Sequence, residues 1–422
     1  MTKNVEQINN MSTKHVLMIA QSNYDYDARI IRYCKSLQGN GYKIDVICLQ
    51  LDKQNKFDIV DGVSVYRVMK KFNQDSILSY AFNSLLFLFK SFFKTISLSN
   101  KNEYNLVHVH NMPDYLVFAA LYPKLKRIPV FLDIHDLTVE LFKEKWAENK
   151  FERFKFILRF SEKLSCNFAD HVITVTKECV DLLKERGIKE NKITLIMNAP
   201  DEKSFSYDES RFLKSDFSSF KILYHGTLAV RFGLHYVIKA MEIVNKSNPD
   251  IEFHIYGNIN NDYAKELQEL ADKLNINGKV FFNLSVMYDK VDELIKPFDL
   301  GIVPYERTQY MNLALPTKAG EYALTGLPFI MSDLISVRTV FGNNSVQYVK
   351  PEETDLLAET ILNLYSDKAR RKKMSENAYN DIKKISWDVM QKRYIDLLND
   401  FNAKEKTITA KKSNNNILTL VL

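Results

Sequence analysis

Lys318 and Glu321 stand three positions apart in the stretch 315–332, LPTKAGEYALTGLPFIMS. Residues three apart project from one face of a helix. Pro316 suits the first helical position, where a missing N–H costs nothing, and Gly326 suits the position just past the end. Pro328 blocks a restart, and Phe329, Ile330 and Met331 then read as a short buried strand. This spacing gathers a cation, a carboxylate and the unpaired N–H groups of a helix N-terminus around one point. Helix N-termini attract phosphate. A carboxylate repels phosphate but accepts hydrogen bonds from sugar hydroxyls. The combination suits a sugar nucleotide; the same pattern also fits a surface helix carrying an ordinary Lys–Glu pair. Elsewhere, Asp25 and Asp27 have Asp-x-Asp spacing. That pattern is short and common, and a loop Asp with a helix-capping Asp explains it better than a divalent metal.

These residues need elements to position them, and 422 residues exceed a single core, so two domains are expected. The chain is 46% hydrophobic and 26% charged, with a net charge of +6 and a pI near 8.8. That balance is ordinary for a globular protein. It argues for no nucleic-acid partner and remains compatible with an anionic ligand or membrane surface. The four cysteines, Cys34, Cys48, Cys166 and Cys179, lack metal or disulfide-framework spacing, which favours reduced thiols and a cytoplasmic location. Residues 1–13 are polar, without a signal peptide's apolar core, and read as a flexible start.

From 14 to 199 apolar runs at 14–20, 43–49, 105–110, 129–135, 171–176 and 193–197 alternate with helical segments, the pattern of a parallel sheet. The loop after the first strand, QSNYDYDAR, has no glycine fingerprint, which weakens a nicotinamide oxidoreductase reading. Residues 200–218 read as a linker. The alternation restarts over 219–385, with strands at 220–225, 251–256, 280–283, 300–303, 328–331 and 346–349 and helices near 233–246, 262–274, 289–296, 316–325 and 353–366. A C-terminal helix spans 386–402, and 403–422 is a lysine- and asparagine-rich tail expected to be disordered. The fold class is α/β, two doubly wound Rossmann-like domains facing a cleft. Within the first, Ile77–Leu98 is rich in Leu and Phe with a narrow stripe of Asn83, Lys90, Lys94 and Ser97. It is either a core helix or one lying in a membrane interface.

Five segments then carry a resemblance. FKILYHGTLAVRFGLHYVIKAM at 220–241 and the segment 297–333, containing LPTKAGEYALTGLP, resemble the C-terminal domain of the retaining family 4 glycosyltransferases, a group 1 type with the GT-B fold. Asp27-Ala28-Arg29-Ile30, GNGYKIDVICL and DIHDLTVEL resemble the N-terminal domain of the same family. The resemblance covers most of 14–400 and implies a metal-independent, retaining transferase. It would move a sugar from a nucleotide-sugar donor to a hydroxyl of a glycan or polyprenyl-diphosphate-linked acceptor. Relatives of the bacterial surface-polysaccharide type work in the cytoplasm or at the inner face of the plasma membrane, and Ile77–Leu98 suits that surface. No cofactor is implied, the nucleotide sugar being a substrate.

By the same resemblance, Arg231 and Lys318 neutralise the leaving phosphate and His135 faces the donor sugar. A strand-end histidine bonded to backbone is the other reading of His135. Gly226 and Thr227 form the glycine loop, Glu321 meets the ribose, and Leu315, Thr317, Tyr256 and Gly257 complete the donor contacts. Asp27, Arg29 and Asp136 fall on the acceptor side. Two positions depart from the family pattern. Leu313 stands where relatives often carry a first glutamate, and Thr227 where many carry a cation. Competing expectations are a non-catalytic nucleotide-sugar-binding partner of another transferase and a GT-B sugar-nucleotide epimerase.

Overall fold

A computed structural model describes residues 14–72, 76–145, 148–213, 219–401 and 403, with side chains at 145 and 148–151 left undescribed. The chain divides into two compact units. The first holds residues up to Val175, Cys179–Ile196 and the chain from Gln391 onward; the second holds Thr176–Glu178 and Met197–Met390. The expected flexible start at 1–13 and most of the expected tail at 403–422 lie outside the described residues.

The first unit contains strands β1 (His15–Ala20), β2 (Lys43–Gln50), β3 (Phe57–Val60), β4 (Val63–Lys70), β5 (Leu106–His110), β6 (Val130–Ile134), β7 (His171–Thr174) and β8 (Ile193–Leu195). Its helices are α1 (Ala28–Gln38), α2 (Ile77–Ser99), α3 (Leu121–Leu125), α4 (Thr138–Lys145), α5 (Glu148–Phe168) and α6 (Lys177–Glu185). The strands order as β3-β4-β2-β1-β5-β6-β7-β8, parallel except for the β3–β4 hairpin. From β1 the chain builds one side of the sheet through β2 and the β3–β4 hairpin, and from β5 it builds the other side through β8, so the switch point lies between β1 and β5. Open parallel sheets bind ligands at the carboxyl end of such a point.

The second unit contains β9 (Phe220–His225), β10 (Ile251–Gly257), β11 (Val280–Leu284), β12 (Leu300–Val303), β13 (Phe329–Ser332) and β14 (Gln347–Val349). Its helices are α7 (Leu234–Ser247), α8 (Asp262–Lys273), α9 (Val291–Ile295), α10 (Thr317–Thr325), α11 (Ile335–Arg338), α12 (Thr354–Ser366) and α13 (Lys368–Lys383). The all-parallel order β11-β10-β9-β12-β13-β14 places its switch point between β9 and β12. The fold class is thus α/β with two parallel-sheet domains, as the alternating pattern predicts. Strands buried on both faces are near-continuous apolar runs such as VLMI in β1 and FIM in β13.

Three features differ from the sequence reading. The β3–β4 hairpin is absent from it, although Asp61-Gly62 marks the turn. Both residues take positive φ, 49° and 79°, as a two-residue hairpin turn requires. The stretch expected as a linker packs onto the second unit over its described part: buried Arg211 donates to the carbonyls of Phe298 (2.5 Å) and Thr325 (3.0 Å). The third is α2. Its buried residues are Ser84, Phe87, Ser91, Thr95, Leu98 and Ser99, at helical spacing, while Phe82, Phe89 and Phe93 are 68%, 58% and 65% exposed. The helix packs small polar residues inward around Phe87 and turns these three aromatics to the outside, so it is not an ordinary core helix.

Candidate functional site

At the switch point of the second unit, β9 ends on His225 and Gly226 follows with φ +124°, a conformation that strains any residue with a Cβ. Its N–H donates to the Tyr256 carbonyl (2.9 Å). A Cβ here would lie 3.3 Å from Cε and Nζ of Lys318, so the loop and the lysine are in close contact. Gly257, at the end of β10, is as confined: a Cβ would come within 2.6 Å of the Gly226 carbonyl oxygen. Thr227 is exposed, and its carbonyl accepts from the Tyr224 hydroxyl (2.7 Å).

Lys318 is only 7% exposed. Its Nζ donates to the Tyr305 hydroxyl (2.6 Å) and lies 4.7, 4.8 and 5.3 Å from the ring centres of Tyr224, Tyr305 and Phe232. Among the described residues no carboxylate forms an ion pair with it. Ring faces offset part of the cost of burying this cation, but a buried charge normally has an ionic partner. Three residues on, Glu321 points its Oε2 to within 3.2 Å of His225 Nε2, without the alignment of a hydrogen bond. Burial and the positive charge of Lys318 lower the His225 pKa to about 3, so the ring is neutral at physiological pH.

Sequence places these groups simply. α10 begins at Thr317 after Pro316, one residue later than expected, and no side chain caps its N-terminus. Gly326 ends it in the left-handed conformation (φ 74°). Arg231 sits in a single 3-10 turn, Val230–Phe232, whose end is fixed by Gly233 at φ 64°. Its guanidinium packs over the Phe232 ring, 4.8 Å from the centre, and its buried Nε has no hydrogen-bond partner among the described residues. Leu315 is half-buried and Thr317 exposed beside this end of α10; Tyr256 is half-buried with its ring edge-on to Phe298. Leu313 is half-buried in the preceding 3-10 turn, Met311–Leu313.

The first unit has a polar pocket of about 210 Å³ at its own switch point. Residues after β1 (Gln21, Ser22), after β5 (Asn111) and after β6 (His135, Asp136) line it, together with Asp27. Asn111 is its organiser: its Oδ1 accepts from the His135 backbone N–H (3.1 Å), and its Nδ2 donates to the Asp136 carbonyl (2.6 Å) and Asp114 (2.9 Å). The buried Nδ1 of His135 has no hydrogen-bond partner, backbone included, among the described residues. Asp27 caps α1 by accepting from the Ile30 N–H (3.1 Å), and Asp25 accepts from Arg67 (2.8 Å) and Gln54 (2.6 Å).

Arg29, expected on the acceptor side, is engaged elsewhere. Arg29 does not line this pocket. It is buried in a bidentate pair with Asp133 (2.7 and 2.9 Å) and also donates to the Tyr33 hydroxyl and the Ile196 carbonyl. Burial by itself would raise the Asp133 carboxyl; the Arg29 guanidinium and the His110 ring, 3.1 Å away, outweigh it and hold the group well below the carboxylate range. His108, His110 and Asp133 bring ligand atoms within 4.8 Å of one another. A cation there would face the Arg29 charge already seated on Asp133, so the cluster reads as a buried ion-pair network.

Two family descriptions divide the sequence between them: "Glycosyltransferase Family 4" matches residues 28–203, and "Glycosyl transferases group 1" matches 208–381. The chain belongs to the group 1 glycosyltransferases. No curated protein matches the sequence significantly. Among solved structures, this transferase is similar to sucrose-phosphate synthase from Thermosynechococcus elongatus: TM-score 0.73, 16% identity, covering 93% of this chain and 100% of that one. It is also similar to HepE from Anabaena in complex with UDP-glucose: TM-score 0.66, 15% identity, 92% and 99% covered. A third is WaaB, a lipopolysaccharide outer core galactosyltransferase: TM-score 0.60, 13% identity, 94% and 99% covered. At such identities the likeness speaks for the fold.

The second unit of the transferase brings Gly226, Lys318, Glu321, Tyr256 and Gly257 together at one switch point. The first brings Asp27, His135 and Asp136 together at the other. Sequence reading missed His225, Tyr305 and Asn111. Each is the last residue of a strand or lies within two positions after one, the place a doubly wound sheet reserves for ligands.

Proposed function

We propose that this transferase moves a glycosyl unit from a nucleotide sugar to a hydroxyl of a glycan or lipid-linked acceptor, with retention of anomeric configuration, in cell-surface polysaccharide synthesis. The observation that carries the reading is Lys318, a buried ammonium with no carboxylate partner among the described residues, touching a glycine loop at a helix N-terminus. An anion is the missing partner, and the donor's diphosphate supplies one. Arg231, whose buried Nε lacks a partner, is assigned to the same diphosphate. Glu321, beside a neutral His225, is assigned to the ribose hydroxyls, and His135 to the donor sugar. Leu315, Thr317, Tyr256 and Gly257 complete the donor contacts, and Asp27 and Asp136 serve the acceptor.

In the step proposed, the bond from the anomeric carbon to the diphosphate oxygen breaks as the acceptor oxygen bonds to that carbon on the same face. The acceptor proton passes to the departing diphosphate. Preorganised cations aimed at that charge supply most of the stabilisation, so the reading is metal-independent. The HepE structure contains UDP-glucose, which makes UDP-sugars the first donors to test. The exposed aromatics of α2 support a peripheral location at the inner membrane face.

The experiment is incubation of the full chain with a panel of nucleotide sugars and lipid-linked or glycan acceptors, following nucleotide diphosphate release and product anomericity by NMR. The expected result is an acceptor-dependent release with retained configuration. Inversion would overturn the retaining step. Binding without release on any donor would favour a non-catalytic partner, which Leu313 in the place of a glutamate would suit, and C2 inversion of the free donor would indicate an epimerase.

A further inference from the structure

Beside the polar pocket of the first unit lies a second cavity of about 540 Å³ between α2, the 112–115 loop, α4 and α5. None of its described lining residues is charged; Ile77, Tyr80, Pro113, Phe142, Phe154 and Leu158 are representative. Its size falls in the range of ~300–1,000 Å³ usual for small-molecule sites. The two cavities share three lining residues, Tyr80, Met112 and Leu141, so an apolar cavity continues directly from one that holds His135, Asp27 and Asn111. The join is built. Gln21, which lines the polar pocket, donates to the Ser84 hydroxyl (2.9 Å) on the buried face of α2, one turn from Tyr80.

The outer rim is equally apolar. Leu78 and Ile157 line the cavity and are 79% and 59% exposed. Beyond them the same two helices expose Phe82, Phe89 and Phe93 on α2 and Phe156, Phe160 and Leu164 on α5. Lys90, Arg153, Arg159 and Lys163 are exposed on the same helices, and α2 has no acidic residue. Aromatic and leucine side chains interspersed with basic residues are the composition of a surface that enters a lipid headgroup layer. A path therefore runs from a lipid-suited face, through an apolar cavity, into the pocket proposed to receive the acceptor.

We propose that this cavity binds the aliphatic chain of a lipid-linked acceptor, with the chain's polar head entering the pocket of His135, Asp27 and Asn111. The inference rests on the glycosyl-transfer reading for the identity of the head, and on the continuity of the two cavities for the chain.

The test uses the full protein and farnesyl phosphate below its micellar concentration, with inorganic phosphate as the headgroup-only control, by calorimetric titration. The expected result is saturable farnesyl phosphate binding at least tenfold tighter than phosphate. Ala81→Trp, which fills the cavity, should weaken it at least tenfold, and Phe89→Ser, outside the cavity, should not. Binding of the nucleotide diphosphate should be unchanged by Ala81→Trp. If Ala81→Trp does not fold by circular dichroism, Leu158→Ala, which enlarges the cavity, takes its place and should change farnesyl phosphate affinity at least threefold. Equal affinity for phosphate and farnesyl phosphate, or insensitivity to the folded cavity variant, would overturn the proposal. So would a concentration-dependent dimer that the cavity variant dissociates, since a second copy would then be the occupant. Chain binding without glycosyl transfer from any donor would leave the cavity assigned and sink the transfer reading; transfer to soluble acceptors without chain binding would do the reverse.

Discussion

At the residue scale, opposite uses of buried charge separate the two units. Lys318 is buried with no ionic partner among the described residues, so its charge costs the fold, in keeping with the proposed role on a ligand. Lys318→Met should hold or raise the urea midpoint while turnover falls about 100-fold or more, the scale of losing one transition-state charge contact. Arg231→Ala should show the same loss of turnover with little change in stability, because its Nε has no partner to lose. Arg29 is the contrary case. It is locked onto Asp133, so Arg29→Ala leaves a buried carboxylate without its cation, held only by the His110 ring. Equilibrium denaturation should register a loss of about 3–5 kcal/mol, as when one member of a buried pair is removed.

At the element scale, two glycines at the ends of strands and turns discriminate binding from folding. Gly233→Ala would put a Cβ 1.9 Å from the Pro304 carbonyl oxygen at the start of α7, a clash with backbone that no rotamer relieves. That variant should express poorly or melt well below the parent. Gly226→Ala meets only the flexible end of Lys318 at 3.3 Å, in an exposed loop at φ +124°. It should fold, at a cost of about 1–3 kcal/mol for the strained backbone, and bind nucleotide diphosphate weakly because the lysine is displaced. Thermal melts with a nucleotide titration separate the two. The inverted α2 gives the other prediction at this scale. Phe89→Ser with Phe93→Ser should leave the melting temperature unchanged, since both side chains are exposed, and should abolish sedimentation with anionic vesicles.

For the whole molecule, buried neutral histidines tie stability to pH. Burial and the nearby Lys318 lower His225 to about 3; burial and the neighbouring His110 ring push His108 well below its ordinary value. The unfolded chain takes up these protons below about 6.5, and the native state does not until far lower pH. Unfolding therefore binds protons, and stability falls as pH drops from 6.5 toward 3, by up to about 1.4 kcal/mol per pH unit for each proton. His225→Gln should flatten that slope between pH 6.5 and 4 in denaturation series without changing it above pH 7.

The sequence by itself determined the two parallel-sheet domains, most strand positions and the limits of α10 to within one residue, because apolar periodicity, proline and glycine act within a few residues. It also placed Lys318 and Glu321 on one helical face. Only the tertiary structure decided which charges find partners. Arg29 meets Asp133 from 104 positions away, and Lys318 is covered by tyrosines from β9 and the turn after β12, so the arginine is ion-paired and the lysine is not paired with any described carboxylate. The same holds for α2. Its composition left core and membrane readings open, because a helix of Leu and Phe with scattered serines has no unique inward face until neighbours choose one. Packing chose the serines and Thr95 around Phe87, since small side chains let the helix approach closely, and Phe82, Phe89 and Phe93 were turned outward.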